Sequence, residues 1–333
     1  MSRRANSVFF GFDFQENAAI VLMVENMAEM NFVKIEGEED IEITLNDGTS
    51  ILAQAKSVVK ASTDFDNVRA KAKAAMKSLS EASKNVKVQK LIYYTNSPDP
   101  FHEEASKPMF YGKAQVQFDN LPTSTKDLIG GWLAEIEEPL DKSDLHIHVL
   151  PFETDDDEQR YKVVLQSLSD FIGEMDLRSA DGLRKRLHEV WLSMLDRNGS
   201  TSDSKKRLSK KDVVWPMIVF VTGRGHLDRN AQYCTDLDEG EFEEIEHKYG
   251  KLIEDYCERY DFVVKVLTDF REGNYKGNQA LEIFVNGHWQ EYVEILGLEM
   301  MDESLRCNLT KIVLYTIVHK RFEINKIKNA VNL

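Results

Sequence analysis

The chain has 333 residues, 42% of them apolar, enough for one hydrophobic core in each of two or more domains and too long for a single core. Cys234, Cys257 and Cys307 are isolated, with no C-x-x-C pair, which excludes a disulfide framework and a cysteine zinc module. The formal net charge of -15 argues against a surface that binds polyanions everywhere; the longest apolar run, Val213 to Val221, falls far short of a membrane span, and Ser2-Arg3-Arg4 is not followed by a secretory apolar region, so a cytoplasmic protein without a membrane partner is expected.

In chain order, the first predicted element is a helix from about Phe14 to Met30, opened by Gly11-Phe-Asp-Phe-Gln15. Strands follow around Glu36 and Lys56, joined by Asn46-Asp47-Gly48, which has the composition of a three-residue turn with glycine in the left-handed position. Such a turn pairs Leu45 with Thr49, Ile43 with Ile51 and Ile41 with Ala53, so that one face of the hairpin is apolar throughout. On the other face Asp40 is expected across from Gln54, and Glu38 across from Lys56.

A carboxylate, an amide and an ammonium gathered in this way have the chemistry of phosphodiester hydrolysis. That reaction needs a hard divalent cation on oxygen ligands, an activated water, and positive charge near the phosphate. Asp40 would bind the metal, Gln54 would ligate it or position the water, and Lys56 would stabilise developing charge. Glu36, if the backbone at Gly37 keeps it turned inward, adds a second acidic ligand or a base. The same residues also fit a solvated hairpin face on which acids and bases pair for solubility.

Between Ile51 and Thr95 there are nine Lys or Arg (Lys56, Lys60, Arg69, Lys71, Lys73, Lys77, Lys84, Lys87, Lys90) against three acids (Asp64, Asp66, Glu81), a local excess of six positive charges. Val68, Ala72, Ala75, Met76, Leu79 and Ala82 recur at helical spacing as a core stripe, leaving Arg69, Lys73 and Lys77 on another face. With Lys60 they form a candidate DNA-binding surface, or else a solvated helix face. A buried strand at Val88 to Tyr94, strands at Ala114 to Phe118 and Leu145 to Leu150, and a helix at Lys126 to Ile136 complete a domain over residues 1–150, a central mixed sheet flanked by helices.

Beyond Pro151 and the acid run Asp155 to Glu158 the chain reads almost wholly helical: Tyr161 to Met175, Ala180 to Leu195, a capped start at Ser209 to Trp215, Gly240 to Tyr260 and Leu309 to Val318. Residues 151–333 are expected to form a helical domain for oligomerisation or partner docking, or an extension that stabilises the first domain. His146-Ile-His148 reads as a structural pair, and Val221-Thr-Gly-Arg-Gly225 lacks the lysine and hydroxyl of a phosphate loop.

The helix opening at Gly11 to Gln15, then Glu36 to Asp40-Ile41, then Gln54-Ala-Lys56, resemble in that order the double-stranded-DNA endonuclease domain of bacterial anti-phage effectors, as in CBASS effector nucleases. This is a branch of the PD-(D/E)XK superfamily in which Q-x-K replaces E-x-K. The resemblance implies a restriction-endonuclease-like α/β fold, catalytic Asp40, Gln54 and Lys56, and a Mg²⁺ or Mn²⁺ cofactor held by Asp40, Gln54 and Glu36. It also places Gln15 beside the active centre, although a helix-start residue that pairs locally reads the same.

Within the resemblance, a chain that ends at Leu333 leaves little room for a SAVED sensor domain, and the nuclease subunits of Lamassu and related ABC three-component defence systems fit better. They imply an SMC-like ATPase partner, a small accessory subunit, and activity as a homo-oligomer on double-stranded DNA. Two other readings stay open: a cyclic-oligonucleotide-gated endonuclease of CBASS type with a divergent sensor, and a non-catalytic DNA-binding subunit.

Overall fold

The computed structural model describes residues 3–152, 157–177, 182–201, 203, 205–222, 229–277 and 279–333. Residues 223–225 of the rejected phosphate-loop segment and residues 155 and 156 of the acid run lie outside them. The chain forms two compact units, one of Met1–Asp176, Ala180–Val213 and Val331–Leu333, the other of Leu177–Ser179 and Val214–Ala330.

The first unit contains α1 (Arg3–Glu25), β1 (Met30–Ile35), β2 (Ile41–Leu45), β3 (Ser50–Lys56), α2 (Phe65–Ala82), β4 (Val88–Thr95), β5 (Ala114–Gln117), α3 (Thr123–Leu133), β6 (Leu145–Val149), α4 (Asp157–Glu174), α5 (Leu183–Gly199) and β7 (Leu208–Ser209). Seven strands form one mixed sheet in the order β5-β6-β4-β3-β2-β1-β7. The middle pairs β3 with β4 and β4 with β6 are parallel, and the remaining pairs are antiparallel. The result is an α/β fold with added helical parts.

Alternation along the strands gives the sheet two differently clothed faces. Leu52, Leu91, Tyr93, Leu145 and Ile147 point to one side and bury against Ala72, Ala75, Met76 and Leu79 of α2 and Ile129, Trp132 and Leu133 of α3. At roughly 1.5–3 kcal/mol for each large aliphatic or aromatic side chain taken out of water, this layer is the main stabilising term for the sheet. On the other side α1 crosses the sheet, with Phe14 edge-on to Tyr94 at 6.3 Å and to Phe152 at 5.5 Å.

By length and composition Ser7–Glu25 is apolar enough to cross a membrane, yet 56% of that stretch is buried inside the protein. Phe14, Ala18, Ala19, Ile20, Val21, Leu22 and Met23 are all core residues, which accounts for the helix's apolarity. The helix starts earlier than the predicted Phe14 and stops five residues before Met30. At its end Asn26 Nδ2 donates to the Leu22 carbonyl at 2.7 Å and Met30 N to the Asn26 carbonyl at 2.8 Å, turning the chain into β1.

The expected boundary at residue 150 coincides with the end of β6, but the compact unit runs on through α4, α5 and β7. Two polar contacts show why. Asn17 of α1 donates through Nδ2 to Asp13 and accepts at Oδ1 from His188 of α5 at 2.7 Å, fixing the proton on His188 Nε2. Asn198 of α5 accepts the Ile35 amide at 3.0 Å and donates to the Lys206 carbonyl at 3.1 Å, which places β7 beside β1.

The second unit contains the later part of α6 (Lys210–Thr222), then α7 (Glu239–Cys257), α8 (Tyr260–Glu272), α9 (Ala280–Tyr292), α10 (Glu303–His319) and α11 (Arg321–Val331), and among the described residues its regular elements are helices, as expected. α6 begins as predicted: Ser209 Oγ and N both donate to Asp212 Oδ2, at 2.7 and 2.8 Å. α10 is the central helix, with Leu309, Ile312, Val313, Leu314, Ile317 and Val318 all buried.

Burial pushes the His188 imidazole down to about 4. An unfolded histidine takes up its proton near pH 6.5, so this contribution is complete above that value and is lost as pH falls towards 4. His188→Gln keeps a polar contact and removes the titration. Between pH 6.5 and 4 its unfolding free energy should decline by roughly 1–3 kcal/mol less than that of wild type in urea titrations; parallel declines would contradict the buried neutral imidazole.

Candidate active site

The hairpin has the register read from its sequence: Ile41 opposite Ala53, Ile43 opposite Ile51, and Leu45 N donating to Thr49 O at 2.8 Å. Gly48 closes the turn at φ +82°, a left-handed conformation that disfavours side chains. Asp47 Oδ1 accepts the Thr49 amide and hydroxyl at 2.9 and 2.6 Å and locks it.

The β2–β3 ladder stops at the Ile41–Ala53 pair, and Asp40 replaces its next rung. Its Oδ2 accepts the Ala55 backbone amide at 2.9 Å and meets Lys56 Nζ at 3.4 Å. Asp40 and Lys56 are therefore brought together. Gln54, two residues before Lys56 on β3, is only 3% exposed, and among the described residues nothing hydrogen-bonds its side-chain amide. Its amide atoms are not among the fully buried unpartnered ones, so water still reaches them and they are open to an ion or ligand.

Gln15 reaches the same place from α1. It is buried, and its Nε2 donates to Glu36 Oε1 and to the Asp40 carbonyl, both at 2.8 Å. Glu36 follows β1 with φ +56°, and its amide donates to the Asp40 carbonyl at 3.1 Å, so residues 36 to 40 curl back on themselves. A non-glycine residue in that conformation stores about 1–3 kcal/mol, which the Gln15 clamp helps to offset. At Gly37 a Cβ would lie 2.6 Å from Glu42 Oε2, so the end of that side chain would have to shift to admit one.

This curl corrects one expectation. Glu38 does not face Lys56; its Oε2 accepts Asn85 Nδ2 at 2.7 Å, because the ladder has already ended and the chain has left the strand plane.

Two groups in the site escaped sequence reasoning. Glu39 is only 8% exposed, and its Oε2 accepts the Asp40 amide at 3.3 Å. Burial, then the neighbouring Asp40 charge, push its carboxyl up to about 7 against the opposing effects of the Asp40 amide and Lys56. Lys71 of α2 is half-buried and donates to the Ser57 carbonyl, and its ammonium pKa is lowered by burial and by the nearby charge of Lys56. A surface stripe of cations draws attention to Arg69, Lys73 and Lys77, whereas Lys71 borders the apolar stripe and so turns towards the sheet.

The expected DNA-binding residues are exposed, as that role requires. Lys73 is held by Glu135 at 2.6 Å and Lys77 lies 4.0 Å from Glu81, whereas no ion pair involves Lys60 or Arg69 among the described residues.

The donors near Asp40 are all oxygens, which suits a hard cation such as Mg²⁺ rather than zinc. Among the described residues no three His, Cys, Asp or Glu side chains are grouped to hold a metal. A set of one or two carboxylates with an amide oxygen fits Mg²⁺, which keeps several of its waters, better than Ca²⁺, which wants six to eight ligands.

Because the Glu39 carboxyl is raised from an ordinary value of 4.5 to about 7, the folded state holds its proton more tightly than the unfolded one. Its contribution is therefore fullest below pH 4.5 and falls as pH rises through 7. In EDTA, Glu39→Gln should exceed wild type in stability by about 1–3 kcal/mol at pH 8 and converge with it at pH 4; an equal gap at both pH values would show that Glu39 is not a desolvated acid.

No protein-family model matches the chain, and no curated protein matches it. Among solved structures it is similar to the Cap4 SAVED/CARF-domain receptor of Acinetobacter baumannii with the cyclic trinucleotide 3'3'3'-cAAA, at 15% identity and TM-score 0.37 over 70% of this chain and 50% of that one. The structure of that receptor with 2'3'3'-cAAA gives 13% identity and TM-score 0.38 over 80% and 60%, and a third gives 16% and 0.36 over 79% and 61%. The chain thus spans about half to three fifths of the length of these structures, and membership of their family does not follow from the overlap.

Proposed function

We propose that the chain is a divalent-metal-dependent endonuclease for double-stranded DNA, with a restriction-endonuclease-like first unit and its catalytic centre at Asp40, Gln54 and Lys56. One observation carries the reading. At the end of the hairpin the Asp40 carboxylate is fixed by the Ala55 amide and pairs with Lys56, on the strand that also carries Gln54 two residues earlier.

Asp40 and Gln54 would hold the ion, with Glu36 as the second acid. A Mg²⁺ or Mn²⁺ ion bound there would supply Lewis-acid polarisation of the phosphate and a more acidic water. Lys56 Nζ donates to a non-bridging phosphate oxygen, and Lys71 behind it adds positive charge as the phosphorus becomes pentavalent. The water oxygen gives up a proton to solvent as it bonds to phosphorus, the bond to the 3′ oxygen breaks, and that oxygen takes up a proton, so that one proton is released and one consumed. Glu39, protonated up to about pH 7, carries a proton within the site. Gln15 acts as a positioning residue, holding the Glu36 side chain and the Asp40 backbone. Lys60 and Arg69, exposed near the end of β3, meet the DNA backbone, while Lys73 and Lys77 must first leave their acidic partners.

The motif resemblance extends this reading to an effector of anti-phage defence, most like the Lamassu nuclease subunit, restrained by an SMC-like ATPase and an accessory subunit and active as a homo-oligomer. In Mg²⁺ the purified chain should nick or linearise supercoiled plasmid. Lys56→Ala and Asp40→Ala should each cut at least about 100-fold more slowly with unchanged melting behaviour. A Lys56→Ala protein that cuts at the wild-type rate would contradict the assignment.

A second reading, gating by a cyclic oligonucleotide, has one feature in its favour. The second unit has a cavity of about 240 Å³ where Arg271, Arg321 and Lys328 converge beside Phe270, a cationic pocket suited to phosphodiesters. Titrating cyclic oligonucleotides into the full chain separates the readings, because restraint by a protein partner expects no heat and no change in cleavage.

A further inference from the structure

On the side of the sheet crossed by α1, the face over β4, β6 and β5 is unusually polar. Lys90, His146, His148, Gln115 and Gln117 all point to it by strand alternation, and with Asn120 they line a cleft of about 450 Å³ beside the C-terminal end of α1. That volume falls within the ~300–1,000 Å³ of small-molecule sites. Gln54, of opposite parity to the cleft-lining Ile51 on β3, faces the other side of the sheet.

His148 is 5% exposed, and its Nδ1 is buried without a hydrogen-bond partner. Burial, then His146, Lys90 and Lys113, hold its imidazole neutral, with its pKa down at about 3. The acid lining the cleft, Glu25, is paired with Lys113 at 2.7 Å, while Lys90 has no carboxylate partner among the described residues. The cleft therefore presents uncompensated positive charge and amides that both donate and accept, over a buried ring nitrogen that has no partner. Tyr94 and His146 stand edge-on to His148 at ring-centroid distances of 5.2 and 6.2 Å.

We propose that this cleft is a binding site for a nucleoside monophosphate, the phosphate on Lys90 and the base among the imidazoles and the amides of Gln115, Gln117 and Asn120. Each element matches one part of the ligand. An unpaired ammonium in a half-buried cleft prefers a dianionic phosphate. Side-chain amides read the mixed donor and acceptor edge of a base, and flat imidazoles supply a surface for its ring. The site stands apart from the Asp40 centre and does not rest on the nuclease reading.

Calorimetric titration of the full-length protein with each of the four common nucleoside 5′-monophosphates tests this. At least one should bind, and the matching nucleoside without phosphate should bind about tenfold or more weakly. Lys90→Ala should lose about tenfold or more in affinity, as should Gln115→Glu, which adds a repelling charge at an exposed position where folding is not at stake. Lys56→Ala should bind as wild type does, so a failure of the nuclease reading leaves this result intact. Absence of heat with all four, undiminished binding by Lys90→Ala and Gln115→Glu, or inorganic phosphate binding as tightly as the nucleotides would each overturn the proposal.

Discussion

The site depends on one substitution of a side chain for backbone. Where the β2–β3 ladder stops, the Ala55 amide has no strand partner on that side, and the Asp40 carboxylate takes it at 2.9 Å. An unpaired amide at this depth would cost on the order of 1–3 kcal/mol, so the bond fixes Asp40 strongly. Once fixed, the carboxylate lies beside Lys56. The charge arrangement is thus a consequence of how the hairpin ends.

The curl of residues 36 to 40 and helix α1 maintain that ending. Gln15 bonds the Glu36 side chain and the Asp40 carbonyl, and its own placement depends on the burial of α1, through Phe14 on one flank and Asn17 with His188 on another. Helices α4 and α5 are therefore part of the support for the site, although they contribute no group to it. The same helix, ending at Glu25, leaves the sheet uncovered over β5 and β6, and there the strands turn polar instead of apolar.

How much could be read from the residues alone differs from element to element. The hairpin register was legible because Asn46-Asp47-Gly48 fixes the turn, and a slip by one residue would expose Ile41, Ile43 and Ile51. The capped start of α6 was legible for a similar reason, since Ser209 and Asp212 have the required spacing. The extent of the sheet-bearing unit was not, because it rests on the single polar contacts of Asn17 and Asn198, which leave no periodicity. Nor were Glu38 and Glu39. In a run of four acids, only the left-handed turn at Glu36 decides which points to Asn85 and which is buried beside Asp40. Lys71 was obscured by its more regular neighbours, Arg69, Lys73 and Lys77.

The central claim is that Asp40 and Gln54 complete their coordination with a divalent ion. The most direct measurement is anomalous diffraction from crystals of the protein grown or soaked in Mn²⁺. A peak within bonding distance of the Asp40 carboxylate and the Gln54 amide oxygen, reduced in Asp40→Asn, is the predicted result. Density showing Mn²⁺ elsewhere on the protein and only water between those two side chains would contradict the account.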